Sequence, residues 1–165
     1  MKATVTRRGA VLLGKHVACD AFDESKPLRV VTHAHADHLM GLRQSLRACE
    51  KVLMTPATKD LIDVLRGPLF LMGGFVETLD YGKTFRCEEE QMTFFRADHI
   101  LGAAQVLVED AEGARILYTG DFRIAETPVV TLMCLSWKPP TGVQHVNAIL
   151  EEMLEVCLFL WLRKG

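Results

Sequence analysis

The stretch Thr32-His33-Ala34-His35-Ala36-Asp37-His38 carries the information that decides the fold and the chemistry of this chain. Residues two apart in an extended segment project to the same side, so His33 and His35 can share one cation. Asp37 and His38 come after a turn and can hold a second cation, roughly 3.5–4 Å away as in two-metal sites. Imidazole and carboxylate favour zinc, with manganese or iron as alternatives.

Two later segments strengthen this interpretation. His99 precedes Gly102, a residue that lets backbone approach closely, and Asp121 follows a β-rich run and a glycine. A carboxylate in that position can bridge two cations through its two oxygens. The alternative from the residues alone is a histidine-rich surface loop, or histidines satisfied by hydrogen bonds at a strand end.

The remaining pattern predicts a strand-rich α/β or α+β layered fold with two interleaved helices. A hairpin is expected around Gly14-Lys15, and the strand Leu28 to Thr32 runs directly into His33. Helices are predicted over Gly41 to Cys49 and from Thr55-Pro56, an N-cap followed by proline, to Gly67. Five further strands are predicted at Val52 to Met54, Phe75 to Leu79, Met92 to Phe95, Ala104 to Val108 and Arg115 to Tyr118.

Composition predicts a soluble cytoplasmic protein. The chain has 165 residues, 49% hydrophobic and 24% charged, with a formal net charge of -2, so no basic field attracts nucleic acid. Five cysteines without a CxxC pair indicate reduced, buried thiols. The start of the chain lacks a secretory signal, and the apolar run Val156 to Leu162 is too short to cross a bilayer, so no membrane partner is expected.

The segment His33-Ala34-His35-Ala36-Asp37-His38 resembles the HxHxDH signature of the metallo-β-lactamase superfamily. Asp20, His99 and Asp121 resemble its first, third and fourth motifs, in the same order. The fuller strings His99 to Ala104 and Tyr118 to Arg123 are similar to the β-CASP branch of nucleases, with prokaryotic and archaeal members as the nearest in character. The resemblance covers about residues 3 to 128 and implies the N-terminal half of a four-layer αββα sandwich.

The resemblance also implies a role for each of these side chains. His33, His35 and His99 would hold the first of two divalent metal ions, Asp37 and His38 the second, and Asp121 would bridge them. Asp37 and Asp121 would thus be the catalytic carboxylates, and Asp20 would orient the ligands through hydrogen bonds. A water between the ions would attack phosphorus in a nucleic-acid substrate.

The chain departs from the family after residue 128. The acidic strand motif, the β-CASP insertion and the later histidines are not recognisable, and His145, the only later histidine, begins an amphipathic helix-like stretch. We therefore expect two regions, 1–128 as the family half and 129–165 as an unrelated strand and helix, from a truncated or frame-altered gene. A homodimer is one way to cover the sheet face that a half sandwich exposes.

Three functions follow from these observations. The favoured one is a metal-dependent nuclease or phosphodiesterase acting on DNA or RNA. The second is a hydrolase of a thioester, lactam or other ester, because the signature alone does not separate these reactions; Thr119 to Arg123 favours the nuclease branch. The third is an inactive metal-binding fragment, which the missing later motifs motivate.

Overall fold

The structure, a computed structural model, describes residues 1–122, so the expectations for residues 129–165 and His145 lie outside the described residues. Two β-sheets organise this part of the chain, one of six strands and one of four. The fold is therefore the mixed α/β arrangement that the alternation of strand and helix patterns predicts.

The first sheet has its strands in chain order, with β1 and β2 and then β2 and β3 antiparallel and the remaining pairs parallel. Its strands are β1 (Ala3–Val5), β2 (Val11–Leu13), β3 (Val17–Cys19), β4 (Leu28–Val30), β5 (Lys51–Met54) and β6 (Val76–Thr78). Because β4 is flanked on both sides, its three residues are buried, and the chain leaves the sheet at the point where the histidine motif begins.

The second sheet is fully antiparallel, in the order β10-β9-β8-β7. Its strands are β7 (Thr84–Cys87), β8 (Glu90–Arg96), β9 (Ala104–Asp110) and β10 (Arg115–Tyr118). The long pair β8 and β9 ends at Arg96 and Ala104, and the connection between these two residues contains His99.

Two α-helices and two short 3-10 helices complete the described residues. They are α1 (Leu42–Ala48), α2 (Pro56–Arg66) and the 3-10 helices Ala36–Leu39 and Phe70–Gly73. The predicted start of α2 is confirmed, since the side chain of Thr55 accepts a hydrogen bond from the Thr58 amide and Pro56 opens the helix. The helix ends at the predicted glycine, Gly67.

An apolar cluster packs α1, α2 and the 3-10 helix Phe70–Gly73 against the first sheet. Its buried members are Val31, Ala34, Leu39, Leu42, Leu46, Val52, Met54, Ile62 and Leu71. Ala34 belongs both to this cluster and to the histidine motif, and Val31 lies directly before the motif, so the motif backbone rests on the core. In residues 1–122 no helix is both long and apolar enough to span a membrane.

Candidate metal centre

The histidine motif leaves β4 as extended chain and then turns sharply. His33 is completely buried, and the next histidine, His35, is exposed and precedes the 3-10 helix Ala36–Leu39 that carries Asp37 and His38. The change from extended chain to a tight turn explains why the first two histidines face one point and the last two ligand candidates face another.

His99 lies in the connection between β8 and β9, which is fastened to the N-terminal end of α2. The carbonyl oxygen of Gly102 accepts hydrogen bonds from the hydroxyls of Thr55, at 2.7 Å, and Thr58, at 2.9 Å. Gly102 has a φ of +83°, and a Cβ there would lie 2.6 Å from the Thr58 amide nitrogen. Glycine therefore permits the close approach that the sequence predicts, and this approach fixes the segment bearing His99.

Asp121 follows β10, at the same side of the molecule. The amide of Ala104 donates to the carbonyl of Thr32 at 2.9 Å, which ties the second sheet to the histidine motif. This contact brings the ends of β8, β9 and β10 next to the end of β4. Asp121 is consequently close to the motif despite a separation of more than eighty residues along the chain.

One group of four side chains converges on a single point. His33, His35, His99 and Asp121 each offer a ligand atom, and these atoms all lie within 4.8 Å of one another. Nδ1 of His35 is 3.0 Å from Nε2 of His33 and 3.1 Å from Nε2 of His99. Oδ2 of Asp121 is 3.9 Å from Nε2 of His33 and 3.7 Å from Nε2 of His99.

These spacings suit a metal ion. Bonds of about 2.0–2.1 Å in a tetrahedron place neighbouring ligand atoms about 3.3 Å apart, close to the separations in this group. Three imidazole nitrogens and a carboxylate oxygen are also the donor types that divalent transition metals accept. The residues fit a divalent metal ion, and the described part of the chain offers a site for one.

A second position adjoins the first on the other side of Asp121. Oδ1 of Asp121 is 3.4 Å from Nε2 of His38, and Oδ2 of Asp37 is 3.7 Å from the same nitrogen. The two oxygens of Asp121 thus face different histidines. All six ligand candidates named from the sequence are brought together in two adjoining positions.

Beneath the second position, Asp20 connects several buried groups. Its carboxylate accepts hydrogen bonds from the Thr32 amide and hydroxyl, both at 2.9 Å, and lies 2.9 Å from Nδ1 of His38. Asp20 has a φ of +62°, an uncommon conformation outside glycine that Asp tolerates better than most residues. The network holds the imidazole of His38 so that its other nitrogen faces Asp121.

Tyr118 also belongs to this network, although the sequence did not mark it as a site residue. Its hydroxyl donates to Oδ2 of Asp20 at 2.9 Å, across 98 positions of the chain. Burial, and then the adjacent charge of Asp20, raise the pKa of Tyr118 well above its ordinary value, so the hydroxyl keeps its proton and acts as a donor. In the sequence, Tyr118 is only the last residue of an apolar strand, and no local signal points to Asp20.

The two buried histidines of the motif, His33 and His38, have opposite electrostatic environments. Burial, and the neighbouring imidazole of His38, lower the pKa of His33 to about 4, so His33 is neutral near pH 7. Burial also lowers the pKa of His38, but hydrogen bonds to the carboxylates of Asp121 and Asp20 outweigh it and raise the pKa to about 10. Burial likewise opposes the charge of Asp20, yet its contacts with His38 and Thr32 lower the pKa below the ordinary value.

A surface groove of about 630 Å³ borders the first position. Its lining includes His99 together with Tyr81, Arg96 and Leu101. Leu101 is 72% exposed and Tyr81 is 40% exposed, although the Tyr81 hydroxyl donates to the carbonyl of Ala103. The groove offers an aromatic ring, a cation and apolar surface next to the metal ligand candidates.

No protein-family profile matches the chain. The sequence is similar to an RNase J-like protein of Methanocaldococcus jannaschii, 31% identical, covering 70% of this chain and 31% of that protein. It is also similar to the endoribonuclease ysh-1 of Neurospora crassa, 29% identical, covering 81% of this chain and 18% of that protein. The chain therefore spans less than a third of the length of either relative.

Similarity to a solved structure supports the fold. Zinc-bound PqqB from Methylobacterium extorquens superposes with a TM-score of 0.58 at 12% identity, over 72% of this chain and 54% of that one. A metallo-β-lactamase of Cronobacter sakazakii superposes with a TM-score of 0.52 at 15% identity, over 73% of this chain and 60% of that one. The predicted fold class is thereby confirmed, since both neighbours superpose on more than two thirds of this chain, and the matched part makes up little more than half of their own length.

Proposed function

We propose that this chain, which belongs to the metallo-β-lactamase superfamily in its β-CASP branch, is the metal-binding part of a metal-dependent nuclease that hydrolyses RNA. One observation carries the proposal. Three histidines and an aspartate from three separate segments place their ligand atoms within 4.8 Å of one another. RNA is favoured over DNA because the relatives are named as an RNase J-like protein and an endoribonuclease.

In this proposal His33, His35, His99 and Asp121 hold the first divalent ion, and Asp37, His38 and Asp121 hold the second. Zinc is favoured because three of the four donors at the first position are imidazole nitrogens, with manganese or iron as alternatives. Bound ions supply a water of lowered pKa and neutralise charge that develops on the phosphate. Asp121 serves both positions, because its two oxygens face different histidines.

The chain's own side chains supply orientation and proton transfer. Asp20 and Thr32 fix the ring of His38, and a ligand held in one orientation does not have to be ordered again at each turnover. The Asp37 side chain is about half exposed, so its carboxylate can act as a general base towards an attacking water. The groove beside His99 places Tyr81 and Arg96 where a base can stack and a phosphate can be neutralised.

Cleavage of a labelled single-stranded RNA by the purified chain, loaded with zinc or manganese, tests the proposal. Bis-p-nitrophenyl phosphate serves as a second substrate, a phosphodiester that has neither a nucleotide sequence nor a folded structure. We expect His33→Ala to abolish activity on both, because His33 is wholly buried at the centre of the first group. The exposed Arg86→Met variant in β7 is the matched control and retains activity.

The other two functional classes are outcomes of the same experiment. Turnover of a thioester or lactam without phosphodiester cleavage would replace the nuclease assignment with that of another hydrolase. Metal binding without turnover of any substrate would identify a metal-binding fragment. Retention of full phosphodiesterase activity by His33→Ala would remove the metal centre itself from the proposal.

A further inference from the structure

Arg29 is an ionisable side chain placed where a strand normally holds an apolar one. It is the middle residue of β4, with no exposed surface, and it is one of the largest fully buried side chains in residues 1–122. Its cross-strand neighbours, Ala18 and Val52, are buried and apolar and cannot accept a hydrogen bond through their side chains. Burying a guanidinium in such surroundings is costly unless its donors are satisfied.

The hydrogen bonds of Arg29 satisfy only part of that requirement. Nη2 donates to the carbonyl oxygen of His38 at 3.0 Å. Nε and Nη1 have no hydrogen-bond partner among the residues that the structure describes. A buried charge with so few bonds contributes little to fold stability compared with an apolar residue of similar size. Two features therefore distinguish arginine from an apolar residue at this position: the hydrogen bond to the His38 carbonyl and the attraction between its charge and the carboxylate of Asp20.

The carbonyl of His38 lies in the short 3-10 helix that carries the second-position ligand candidates. This helix has four residues, and its N-cap, His35, makes no side-chain capping bond. Such a short helix has few internal hydrogen bonds to fix it. Its placement depends on contacts from outside, and two of these converge on His38: Arg29 at the carbonyl oxygen and Asp20 at the ring, 2.9 Å from Nδ1.

We propose that Arg29 is a positioning residue for the second metal position, which it serves by holding the His38 backbone while Asp20 holds the His38 ring. The inference rests on the proposed function, because it assumes that Asp37 and His38 hold an ion. Arg29 itself touches neither ion nor substrate. Its removal affects the second position more than the first, because His33 is buried shortly after β4 and His99 is carried by the connection between β8 and β9.

Zinc titration of the full chain against a chromophoric chelator, which resolves two affinities, tests this role. For Arg29→Met we expect the second zinc affinity to fall about 10- to 100-fold, the range for partners that orient metal ligands. The first affinity stays within about threefold of the unaltered chain. Arg29→Lys retains the charge but lacks the planar guanidinium, so its second affinity is intermediate. Arg86→Met changes neither affinity.

Thermal unfolding of the metal-free variants separates positioning from folding. We expect Arg29→Met to unfold cooperatively, since an apolar side chain fits the surroundings of Arg29. Equal loss of both affinities, or cooperative unfolding lost in both Arg29 variants, would assign Arg29 a purely structural role and overturn the inference. An unchanged second affinity would overturn it as well. Failure of the unaltered chain to bind two zinc ions would instead count against the proposed function.

Discussion

Two clusters of histidine and carboxylate in this protein look alike in composition but differ in geometry. One is the candidate metal centre, with His33, His35, His99 and Asp121; the other joins His16 to Glu88 and Glu89. In both clusters the ligand atoms lie within 4.8 Å of one another. The second cluster lies at the tips of two hairpins, where the turn between β2 and β3 meets the turn between β7 and β8.

In the hairpin cluster each ring nitrogen of His16 already faces a carboxylate. Nδ1 is 2.9 Å from Glu90 and Nε2 is 3.1 Å from Glu88, while the ammonium of Lys15 pairs with Glu89. Glu90 also accepts hydrogen bonds from the amides of Lys15 and His16. A cation at this point would have to displace hydrogen bonds and compete with a lysine, so the cluster is an internal link between two sheets.

In the candidate metal centre, by contrast, imidazole nitrogens face one another. Two such nitrogens share a hydrogen bond only when one carries a proton and the other does not. A cation between them satisfies the lone pairs of all three rings at once and also attracts Asp121. The comparison teaches that proximity of histidine and acid does not define a metal site; the partners that the nitrogens already have decide it.

The largest effect is expected from exchanging one histidine of each cluster for alanine. His35→Ala removes a ligand at the centre of the first position and lowers the first zinc affinity by about 100-fold or more, since even residues that only orient ligands cost 10- to 100-fold. His16→Ala leaves the zinc affinities unchanged but destabilises the fold by about 1–3 kcal/mol, because Glu90 loses a buried partner. Chelator competition and chemical denaturation measure the two quantities.

The two variants therefore move different measurements. A loss of bound zinc in His16→Ala would make the hairpin cluster a metal site and erase the contrast. An unchanged first zinc affinity in His35→Ala would show that the first cluster is not a metal site, which would also remove the difference between the clusters.

A smaller effect is expected from glycine substitutions, which separate the cost of backbone strain from the role of Gly102 in placing His99. Gly102→Ala and Gly113→Ala both alter a glycine with a φ of +83°, but nothing lies within 4 Å of a Cβ at Gly113. We expect about 1 kcal/mol of destabilisation from strain in both variants. Gly102→Ala additionally displaces Thr58 or its own segment, which moves His99 and weakens the first zinc site. Equal zinc affinity in the two variants would show that the Gly102 contact does not place His99.

These comparisons also show how far the sequence predicts the structure. The histidine motif, its preceding strand, the Thr55 cap and the glycine at 102 were all identified, because each has a local chemical signature. The exposed edge strand β1 and the half-exposed β7 were missed, since neither shows an apolar pattern. Three consecutive glutamates at 88 to 90 are typical of a solvated turn, yet Glu90 is 5% exposed and holds the hairpin cluster together.

The roles of Tyr118 and Arg29 could not be predicted for a related reason. Both depend on partners that only the tertiary fold supplies: Tyr118 donates to Asp20 from 98 positions away, and Arg29 meets a carbonyl rather than a side chain. A sequence pattern reports which residues a site needs, whereas the groups that hold those residues in place are chosen by geometry. Ligand candidates are thus more predictable than the residues that orient them.

The smallest effect concerns protons, and it distinguishes the two metal positions from each other. The pKa of His33 is about 4 and that of His38 about 10, so near neutrality a second ion must displace a proton from His38. The second zinc affinity should therefore rise up to about tenfold per pH unit between pH 6 and pH 8. Chelator competition at three pH values, corrected for protonation of the chelator, measures this slope.

The stability of the metal-free fold should change with pH in the opposite direction to the second zinc affinity: it falls as the pH rises. Because the folded pKa of His38 lies above its ordinary value of 6.5, its contribution is fully present below pH 6.5 and is lost as the pH rises towards 10. Zinc would replace the proton on Nε2 of His38 that faces Asp121, while Nδ1 keeps its contact with Asp20, so the loaded protein should not show this loss. The second zinc affinity and the stability of the metal-free protein could both prove independent of pH. That result would mean that Asp20 and Asp121 do not hold a proton on His38.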